Sequence, residues 1–193
     1  MTRNTSDTEK KLAILDATLR LIRNNGFHNA PMSQIAKEAS VGTGTIYHHF
    51  ESKEAIIAAL YAQQKERMGR ALLKGDKPGD NYRERFFRFW INLYKHFANH
   101  PDGFLFLEQY ANSPYITTNT REDNEHFYAP VVAFIAQGVK NGILRNMDPE
   151  LLVALIYGNI TTCVKLHLSG QYKMNPVRLK QAVQTTWDGV KID

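Results

Sequence analysis

The stretch from residue 32 to residue 51 constrains the fold of this chain more than any other, because it predicts two short helices joined by a tight turn. The first predicted helix, residues 32–39, has apolar side chains spaced i, i+3, i+4 and i+7, which places them on one face. These residues are Met32, Ile35, Ala36 and Ala39. The turn, residues 40–42, holds Val41 as an apolar anchor beside Gly42, which we expect to accommodate the bend of the backbone.

The second predicted helix, residues 43–50, turns a polar face away from the core. Ile46 and Phe50 are four residues apart and face inward together. The residues that face outward are Thr43, Thr45, Tyr47, His48 and His49. Because a helix this short is not stable alone, its neighbours must support it. A supported short helix with hydrogen-bonding side chains on its outer face is typical of a recognition helix that enters the major groove of DNA.

These two helices resemble the DNA-binding domain of the TetR family of transcriptional regulators. The resemblance rests on two motifs, Ile35-Ala36-x-x-Ala39-x-Val41 and Gly44-Thr45-Ile46-Tyr47-x-His49-Phe50-x-Ser52-Lys53-Glu54. It extends backwards through Ile14-Leu15-Asp16-Ala17 and Gly26-Phe27, so it covers about the first sixty residues. As a set these motifs are specific, although a helix-turn-helix pattern alone is a weak signal.

Two residues depart from the family pattern, and both stand at predicted helix starts. Ala30 replaces the Thr that usually caps the first helix, and Gly42 replaces a Ser or Thr that often caps the second. Gly is an acceptable N-cap, whereas Ala is a poor one and costs about 1 kcal/mol. Pro31 partly compensates, because it presets φ at the first helical position. The outward face is unchanged by these departures.

The outward face and its surroundings supply the predicted contacts to double-stranded DNA. The resemblance implies that Tyr47 and Lys53 bind phosphates, which fix the register on the duplex without carrying sequence information. The other side chains offer hydroxyls, a methyl group that packs on thymine and an imidazole, but no bidentate arginine–guanine contact. Alternatively, some of them only cap or pack. The predicted DNA-binding residues are Ser33, Thr43, Gly44, Thr45, Tyr47, His48, His49 and Lys53.

The distribution of charge along the chain is consistent with DNA binding but would not predict it alone. The net charge is +5, and residues 1–100 hold 16 basic and 10 acidic residues against 8 and 9 in residues 101–193. A basic half joined to a near-neutral half is typical of a nucleic-acid module attached to another domain. The first 55 residues, however, hold 7 basic and 6 acidic residues, so the motif carries the prediction.

Composition favours a soluble protein of a reducing compartment. The single Cys163 excludes a disulfide framework and lies in an apolar segment, where a packing role is the simplest. The polar first eleven residues predict no signal peptide, and no apolar run reaches the ~18 residues of a membrane span. We therefore expect a cytoplasmic protein without a membrane partner.

The rest of the chain predicts helices only. The nine predicted helices are residues 8–24, 32–39, 43–50, 53–73, 82–99, 103–111, 121–140, 148–168 and 176–187. The clearest break is the Gly- and Pro-containing segment 75–79. We therefore predict an all-α fold with an N-terminal three-helix helix-turn-helix domain in residues 1–55 and a linking helix at about 53–73. A helical ligand-binding and dimerisation domain follows in residues 80–193.

The second predicted domain is rich in aromatic residues. Its first helix carries four of them within five positions, which is more than one buried stripe accommodates. Core packing explains most of them, but such a domain can also enclose an apolar pocket, and the resemblance implies one for a small inducer. The candidate ligand-binding residues are Phe86, Trp90, Phe97, Phe106, Tyr110, His126, Tyr157, Thr161 and His167. This composition favours an apolar or aromatic effector.

No motif predicts a metal, a cofactor or a catalytic centre. His96 and His100 are one helical turn apart, with Asp102 or Glu108 as further candidates, but a tight zinc site needs three or four ligands. The sequence lacks HExxH and CxxC spacings, GxSxG, a P-loop and a dinucleotide fingerprint. We therefore expect no metal, no cofactor and no enzymatic activity.

The last two predicted helices carry more apolar residues than one intramolecular stripe needs. One explanation is burial within the monomer. The other, which the resemblance implies, is a four-helix homodimer interface that presents two recognition helices to a palindromic operator. The candidate interface residues are Leu152, Leu155, Ile156, Val164, Val183 and Trp187.

The sequence thus predicts a ligand-responsive repressor, in which an effector changes the spacing of two recognition helices. The alternatives within DNA binding are an activator or a ligand-independent regulator. The alternative of another class is an all-α small-molecule carrier or enzyme that reuses the fold.

Overall fold

A computed structural model describes residues 2–26, 30–111 and 113–192. Within these ranges the chain forms ten α-helices and one 3₁₀ turn, without a β-strand, so the predicted all-α fold is confirmed. Phe27 of the family motif and Asn112, which follows the predicted helix 103–111, lie outside the described residues. The helices are α1 (Thr2–Asn25), α2 (Met32–Glu38), α3 (Thr43–His49), α4 (Lys53–Leu72), α5 (Tyr82–Asn99), α6 (Pro101–Tyr110), α7 (Thr118–Glu122), α8 (Ala129–Lys140), α9 (Pro149–Leu168) and α10 (Pro176–Val190), with the 3₁₀ turn at Glu125–Phe127.

The prediction of one long helix over residues 121–140 is wrong. The backbone leaves the helical conformation at Tyr128, where φ is −121° and ψ is 0°, and α8 begins at the next residue. Pro130 lies in the first turn of α8, where its missing N–H costs nothing, whereas within a longer helix it would remove a hydrogen bond and clash with the preceding turn. The segment before it therefore forms the short α7 and the 3₁₀ turn.

The chain forms two compact units. The first consists of Met1–Gln64 and Asp102–Asp123, and the second consists of Lys65–Pro101 and Asn124–Asp193. The division falls within α4 and does not coincide with the boundary expected at residues 75–79. One continuous helix, α4, therefore contributes residues to both units.

The first unit is built around α1. Its buried side chains, together with those of α2, α3 and the beginning of α4, exclude water almost completely. Thr18, also buried in α1, satisfies its hydroxyl by donating to the Ile14 carbonyl at 2.8 Å. Each large apolar side chain buried in this way contributes about 1.5–3 kcal/mol. The residues of this core are Ile14, Leu15, Leu21, Ile22, Ile35, Ile46, Phe50, Ile56, Ile57 and Leu60.

In the second unit, the loop between α4 and α5 is held by ion pairs. The Asp76 carboxylate accepts two hydrogen bonds from Arg85, both at 2.8 Å, and Asp80 accepts one from Arg88 at 2.6 Å. The Asn92 side-chain amide donates to the carbonyls of Leu72 and Lys74 at 3.2 and 2.8 Å. This Gly- and Pro-containing loop is therefore fixed against α5, although its composition is that of a linker.

The bidentate pair predicts a pH-dependent contribution to stability. Hydrogen bonding from Arg85 lowers the pKa of Asp76, so the pair stabilises the fold above the ordinary aspartate pKa and is lost as the pH falls through the lowered value. Asp76→Asn should reduce the free energy of unfolding at pH 7 by about 1–3 kcal/mol. Urea denaturation at pH 7 and pH 2.5 should show this difference shrinking in acid. The exposed Asp188→Asn serves as the control, and an equal loss in both variants would contradict the assignment.

Candidate nucleic-acid interface and interior cavity

The recognition helix α3 is held by two buried apolar residues. Ile46 is fully buried and Phe50 is nearly so. Gly42 is the N-cap, without a side-chain hydrogen bond, and Phe50 is the C-cap, whose N–H donates to the Ile46 carbonyl at 2.8 Å. The start of α2 is uncapped as well, and Pro31 is its N-cap rather than its first helical residue. Packing against α1, rather than capping, therefore fixes the pair of helices.

The bend between α2 and α3 is made by Ser40 and not, as the sequence predicted, by Gly42. Ser40 has a φ of 55°, in the left-handed region, whereas Gly42 has an extended backbone that any residue adopts. The N–H groups of Ser40 and Val41 donate to the carbonyls of Lys37 and Ala36 at 3.1 and 3.0 Å. This is the Schellman arrangement, in which glycine usually takes the left-handed position.

A glycine at position 40 should therefore stabilise the protein. Ser40→Gly removes the steric cost of a side chain in the left-handed conformation and keeps the two backbone hydrogen bonds. We expect the free energy of unfolding to rise by about 0.5–1 kcal/mol, since the added entropy of the unfolded chain offsets part of the gain. Urea denaturation measures this change in the free energy of unfolding. Ser40→Ala, which keeps the β-carbon, should give no gain, and a gain there of equal size would disprove the explanation.

The outer face of α3 is open to solvent. The Tyr47 side chain is 56% exposed, Thr43, Gly44 and His48 are exposed, and Thr45 is half-buried. Ser33 on α2 is also exposed. Six of the eight residues predicted to bind DNA therefore lie on exposed or half-exposed surface of α2 and α3.

Lys53 is the first residue of α4 and is half-buried. Burial lowers the pKa of its ammonium group, an effect that Glu54 opposes. A positive charge in the first turn of a helix also opposes the helix dipole. Neither its partial burial nor its position at the start of a helix favours the charge of Lys53. We therefore expect Lys53 to serve a purpose other than the stability of the fold.

His49 does not share the exposed face. Its side chain is only 7% exposed, and its Nε2 atom lies 3.4 Å from the Asp7 carboxylate of α1. The two atoms make no hydrogen bond. The structure therefore places His49 between α3 and α1.

The second unit contains a cavity of about 640 Å³. Its walls come from α4, α5, the region from the 3₁₀ turn through α8, and α9, and they are mainly apolar. The principal apolar residues of the lining are Met68, Leu72, Phe86, Phe89, Trp90, Leu93, Val132, Phe134, Val153, Ile156, Tyr157 and Ile160. The volume lies within the range of sites that bind small molecules.

Six residues with polar groups contribute to this lining, and Tyr157 is one of them. Trp90 is buried, and its Nε1 atom has no hydrogen-bond partner. The Lys65 ammonium lies 4.1 Å from the centre of the Tyr128 ring, and burial lowers its pKa to about 8 although Glu125 opposes the change. Glu125 and Glu150 also line the cavity but are exposed.

Three of the nine predicted ligand-binding residues, Phe86, Trp90 and Tyr157, line the cavity. Phe97 is buried with its ring edge-on to that of Tyr157, whereas His126 is exposed in the 3₁₀ turn. The others lie outside the lining as well. Thr161 donates to the Gly158 carbonyl, His167 meets the edge of the Tyr94 ring, and Phe106 stacks on Tyr110 in the first unit.

Sequence reasoning missed the wall that α4 provides. Lys65 stands in the buried stripe of that helix, four residues after Tyr61 and three before Met68. A lysine at an inward position of an amphipathic helix was the signal that would have identified it. The sequence also did not predict that α8 forms part of the cavity wall, because it predicts one long helix over residues 121–140.

His96 and His100 adjoin one another, with ring centres 5.0 Å apart. Burial, together with the neighbouring charges of His100 and Arg67, lowers the pKa of His96 to about 4. Asp102, one of the further candidate ligands, pairs with Arg23 at 2.6 Å. Within the described ranges, no group of three or more His, Cys, Asp or Glu residues is arranged to hold a metal ion.

The helix α9 leaves one apolar face uncovered. Leu152, Val164 and, on α10, Val183 and Trp187 are buried within the chain, and Ile156 lines the cavity. Of the six predicted interface residues, only Leu155 is strongly exposed, at 55%. Besides the charged Glu150 and Lys165, the exposed positions of α9 recur every three or four residues, and they are Leu151, Ala154, Leu155, Gly158, Thr162 and Leu166. We call this set the α9 stripe.

By length and composition, α9 is also the one helix among the described residues that is apolar enough to cross a membrane. The prediction from uninterrupted apolar runs did not register it, because Glu150 and Lys165 interrupt the run. Its other side packs into the core through Leu152, Ile160 and Val164.

Comparison with known proteins covers both units. Residues 14–60 match the family model described as bacterial regulatory proteins, tetR family, and residues 63–192 match the tetracyclin repressor-like C-terminal domain. A fatty acid metabolism regulator protein of Bacillus subtilis is 26% identical over 90% of this chain and 91% of its own length.

Solved structures show the same fold. A TetR family transcription regulator from Marinobacter aquaeolei VT8 is 25% identical, with a TM-score of 0.92 over 98% of this chain and all of the other. The transcriptional regulator FadR from Bacillus subtilis, in complex with stearoyl-CoA, is 20% identical, with a TM-score of 0.71 over 92% of this chain and 95% of that one. The two family models together span nearly the whole sequence.

Proposed function

Because the chain belongs to the TetR family of DNA-binding transcriptional regulators, we propose that it is a repressor. It binds a palindromic operator as a homodimer and releases it when a small apolar molecule occupies the cavity. The observation that carries this proposal is the exposed polar face of α3, with Tyr47 at its centre.

Gly44 supports the placement of α3 in the major groove. A glycine within a helix costs about 0.5–1 kcal/mol relative to Ala. A β-carbon at position 44 would meet no atom of this chain within 4 Å, so packing does not require the glycine. Close approach of the α3 backbone to DNA accounts for it. Ser33, Thr43, Thr45 and His48 then contact bases or phosphates, and Tyr47 and Lys53 bind phosphates.

The α9 stripe supports a homodimer. A contiguous exposed apolar surface is typical of a protein interface. Gly158 lies within the stripe, and a β-carbon there would also meet no atom of this chain within 4 Å. A glycine at this place lets a second helix approach closely, and a two-fold axis through the stripe pairs α9 with its copy. We assign the exposed leucines Leu151, Leu155 and Leu166 as the contacts.

The cavity supports control by a small molecule. Its apolar walls suit an apolar or aromatic effector, and the fatty acid metabolism regulator among the relatives makes acyl chains the first compounds to try. An effector acts only through its different affinities for the DNA-binding and the released states. The rival function, a small-molecule carrier or an enzyme working in the same cytoplasm, requires the cavity but not the polar face of α3.

Selection of bound duplexes from a random DNA pool tests the proposal. The purified protein should enrich one inverted repeat, and its affinity should fall steeply between 50 and 200 mM salt, by about 10³-fold if six phosphates are contacted. Half-sites one helical turn apart, or a multiple of it, are expected for a two-fold dimer. Enrichment of no sequence, with or without acyl compounds, would favour the carrier or enzyme.

A further inference from the structure

Trp90, a residue of the cavity wall, has a buried hydrogen-bond donor that has no acceptor in the protein. Its side chain is 1% exposed and forms part of the cavity wall, and its Nε1 atom has no partner. An indole N–H can donate but not accept. Because an unsatisfied buried donor is costly, a ligand atom with a lone pair would be bound preferentially here.

Lys65 brings a positive charge to the same cavity. It occupies an inward position of α4, against the Tyr128 ring, and burial disfavours its charged form. An ionisable group that is kept in a cleft against this penalty is a candidate for a functional role. An ammonium group has three donors and no acceptor, so an anionic oxygen is the ligand atom that suits it best.

The two glutamates of the lining do not reverse this preference. Glu125 opens the 3₁₀ turn and Glu150 is the second residue of α9, and both are exposed. Water and salt screen exposed carboxylates strongly. The charge of Lys65, which is half-buried, and the donor of Trp90, which is buried, therefore act more strongly on a ligand inside the cavity.

We propose that the cavity binds an apolar molecule that ends in a carboxylate, with Lys65 and Trp90 as donors to its oxygens. This inference rests on the proposed function, in which the cavity holds the effector, and it adds the chemical class of that molecule. The apolar remainder of the lining takes the hydrocarbon part.

Three compounds with the same twelve-carbon chain test the inference. Isothermal titration calorimetry on the full-length protein at pH 7, below each critical micelle concentration, compares dodecanoate, dodecan-1-ol and dodecylammonium. Dodecanoate should bind at least 10-fold more tightly than the other two, since a hydrogen bond to a charged group is worth this much. Equal or tighter binding of dodecylammonium, or no binding of dodecanoate, would overturn the inference.

Two variants assign the residues. Lys65→Met keeps the length of the side chain and should weaken dodecanoate at least 10-fold while leaving dodecan-1-ol unchanged. Trp90→Phe keeps an aromatic ring but removes the donor, and it should weaken both compounds about 3- to 10-fold. Lys95→Met changes an exposed lysine of α5 and is the matched control. Dodecanoate affinity that Lys65→Met leaves unchanged would remove Lys65 from the site.

Operator binding, measured in parallel on duplexes from the selection, separates this inference from the proposed function. Both proposals are supported if the variants fold normally, bind the operator as the wild type does and lose only the binding of dodecanoate. A wild-type protein that binds dodecanoate but no DNA sequence contradicts the repressor and leaves the carboxylate site standing. A wild-type protein that binds the operator but not dodecanoate contradicts the carboxylate site alone.

Discussion

Replacing both Tyr47 and Lys53 with Ala should lower the affinity for the operator about 100-fold or more and leave the fold intact. Each residue is assigned to a phosphate, and a hydrogen bond to a charged group contributes about 10-fold in affinity or more. Tyr47 is 56% exposed in the free protein, and the charge of Lys53 stands in an unfavourable place at the start of α4. Fluorescence anisotropy with a labelled duplex, repeated over a series of salt concentrations, measures the loss.

The salt dependence identifies the kind of contact. Loss of the Lys53 charge should reduce the slope of log affinity against log salt by about 1. Tyr47→Phe separates the hydroxyl from the ring, and Lys95→Ala removes an exposed lysine from α5 as a control that should bind DNA normally. Unaltered, salt-sensitive binding by the double variant would mean that other residues hold the DNA backbone.

Leu155→Glu should convert the proposed dimer into monomers and abolish tight binding to the inverted repeat. The substitution places a carboxylate on each side of a two-fold axis, where burial of the charge is strongly unfavourable and the two copies repel each other. We expect the dissociation constant of the dimer to rise about 100-fold or more. Sedimentation velocity measures the association, and anisotropy measures the operator affinity. Leu155 is mostly exposed in the monomer, so the variant should remain folded.

Leu105→Glu is the matched control. Leu105 is a leucine of α6 with 48% of its surface exposed, close to the value for Leu155, and it lies outside the α9 stripe. It should leave both association and operator binding unchanged. A Leu155→Glu protein that still sediments as a dimer would show that another surface holds the two copies together.

The first unit could be predicted from the sequence because its signals are local. The spacing of Ile35 and Ala36, the inward positions of Ile46 and Phe50, and the polar positions between them are set within a few residues of one another. Besides the position of Pro31 at the N-cap of α2, two details escaped this reasoning. Ser40 takes the left-handed conformation although glycine stands two positions later, and His49 turns toward Asp7, a contact across 42 positions of sequence.

The second unit was harder to predict because its site is assembled from distant segments. Periodicity identifies which residues of α9 are apolar but not which face meets the core, so Leu152 and Val164 were assigned to an interface although they are buried within the chain. The cavity depends on how α4, α5, α8 and α9 are arranged around it, and no local pattern records that arrangement. Three aromatic residues were nevertheless identified, because large rings are the usual walls of such cavities.

The division of the chain within α4 has a consequence for the exchange of parts between related regulators. A chimera joined at residues 75–79, where glycine and proline invite a junction, would take Lys65, Met68 and Leu72 from the donor of the helix-turn-helix. Such a chimera would therefore receive part of the cavity wall from the same parent as its operator preference. A junction at residues 61–64 would exchange the operator preference and leave that wall to the recipient. Recombination between homologous genes would be subject to the same rule, so inheritance of operator and effector preferences depends on which turn of α4 contains the crossover.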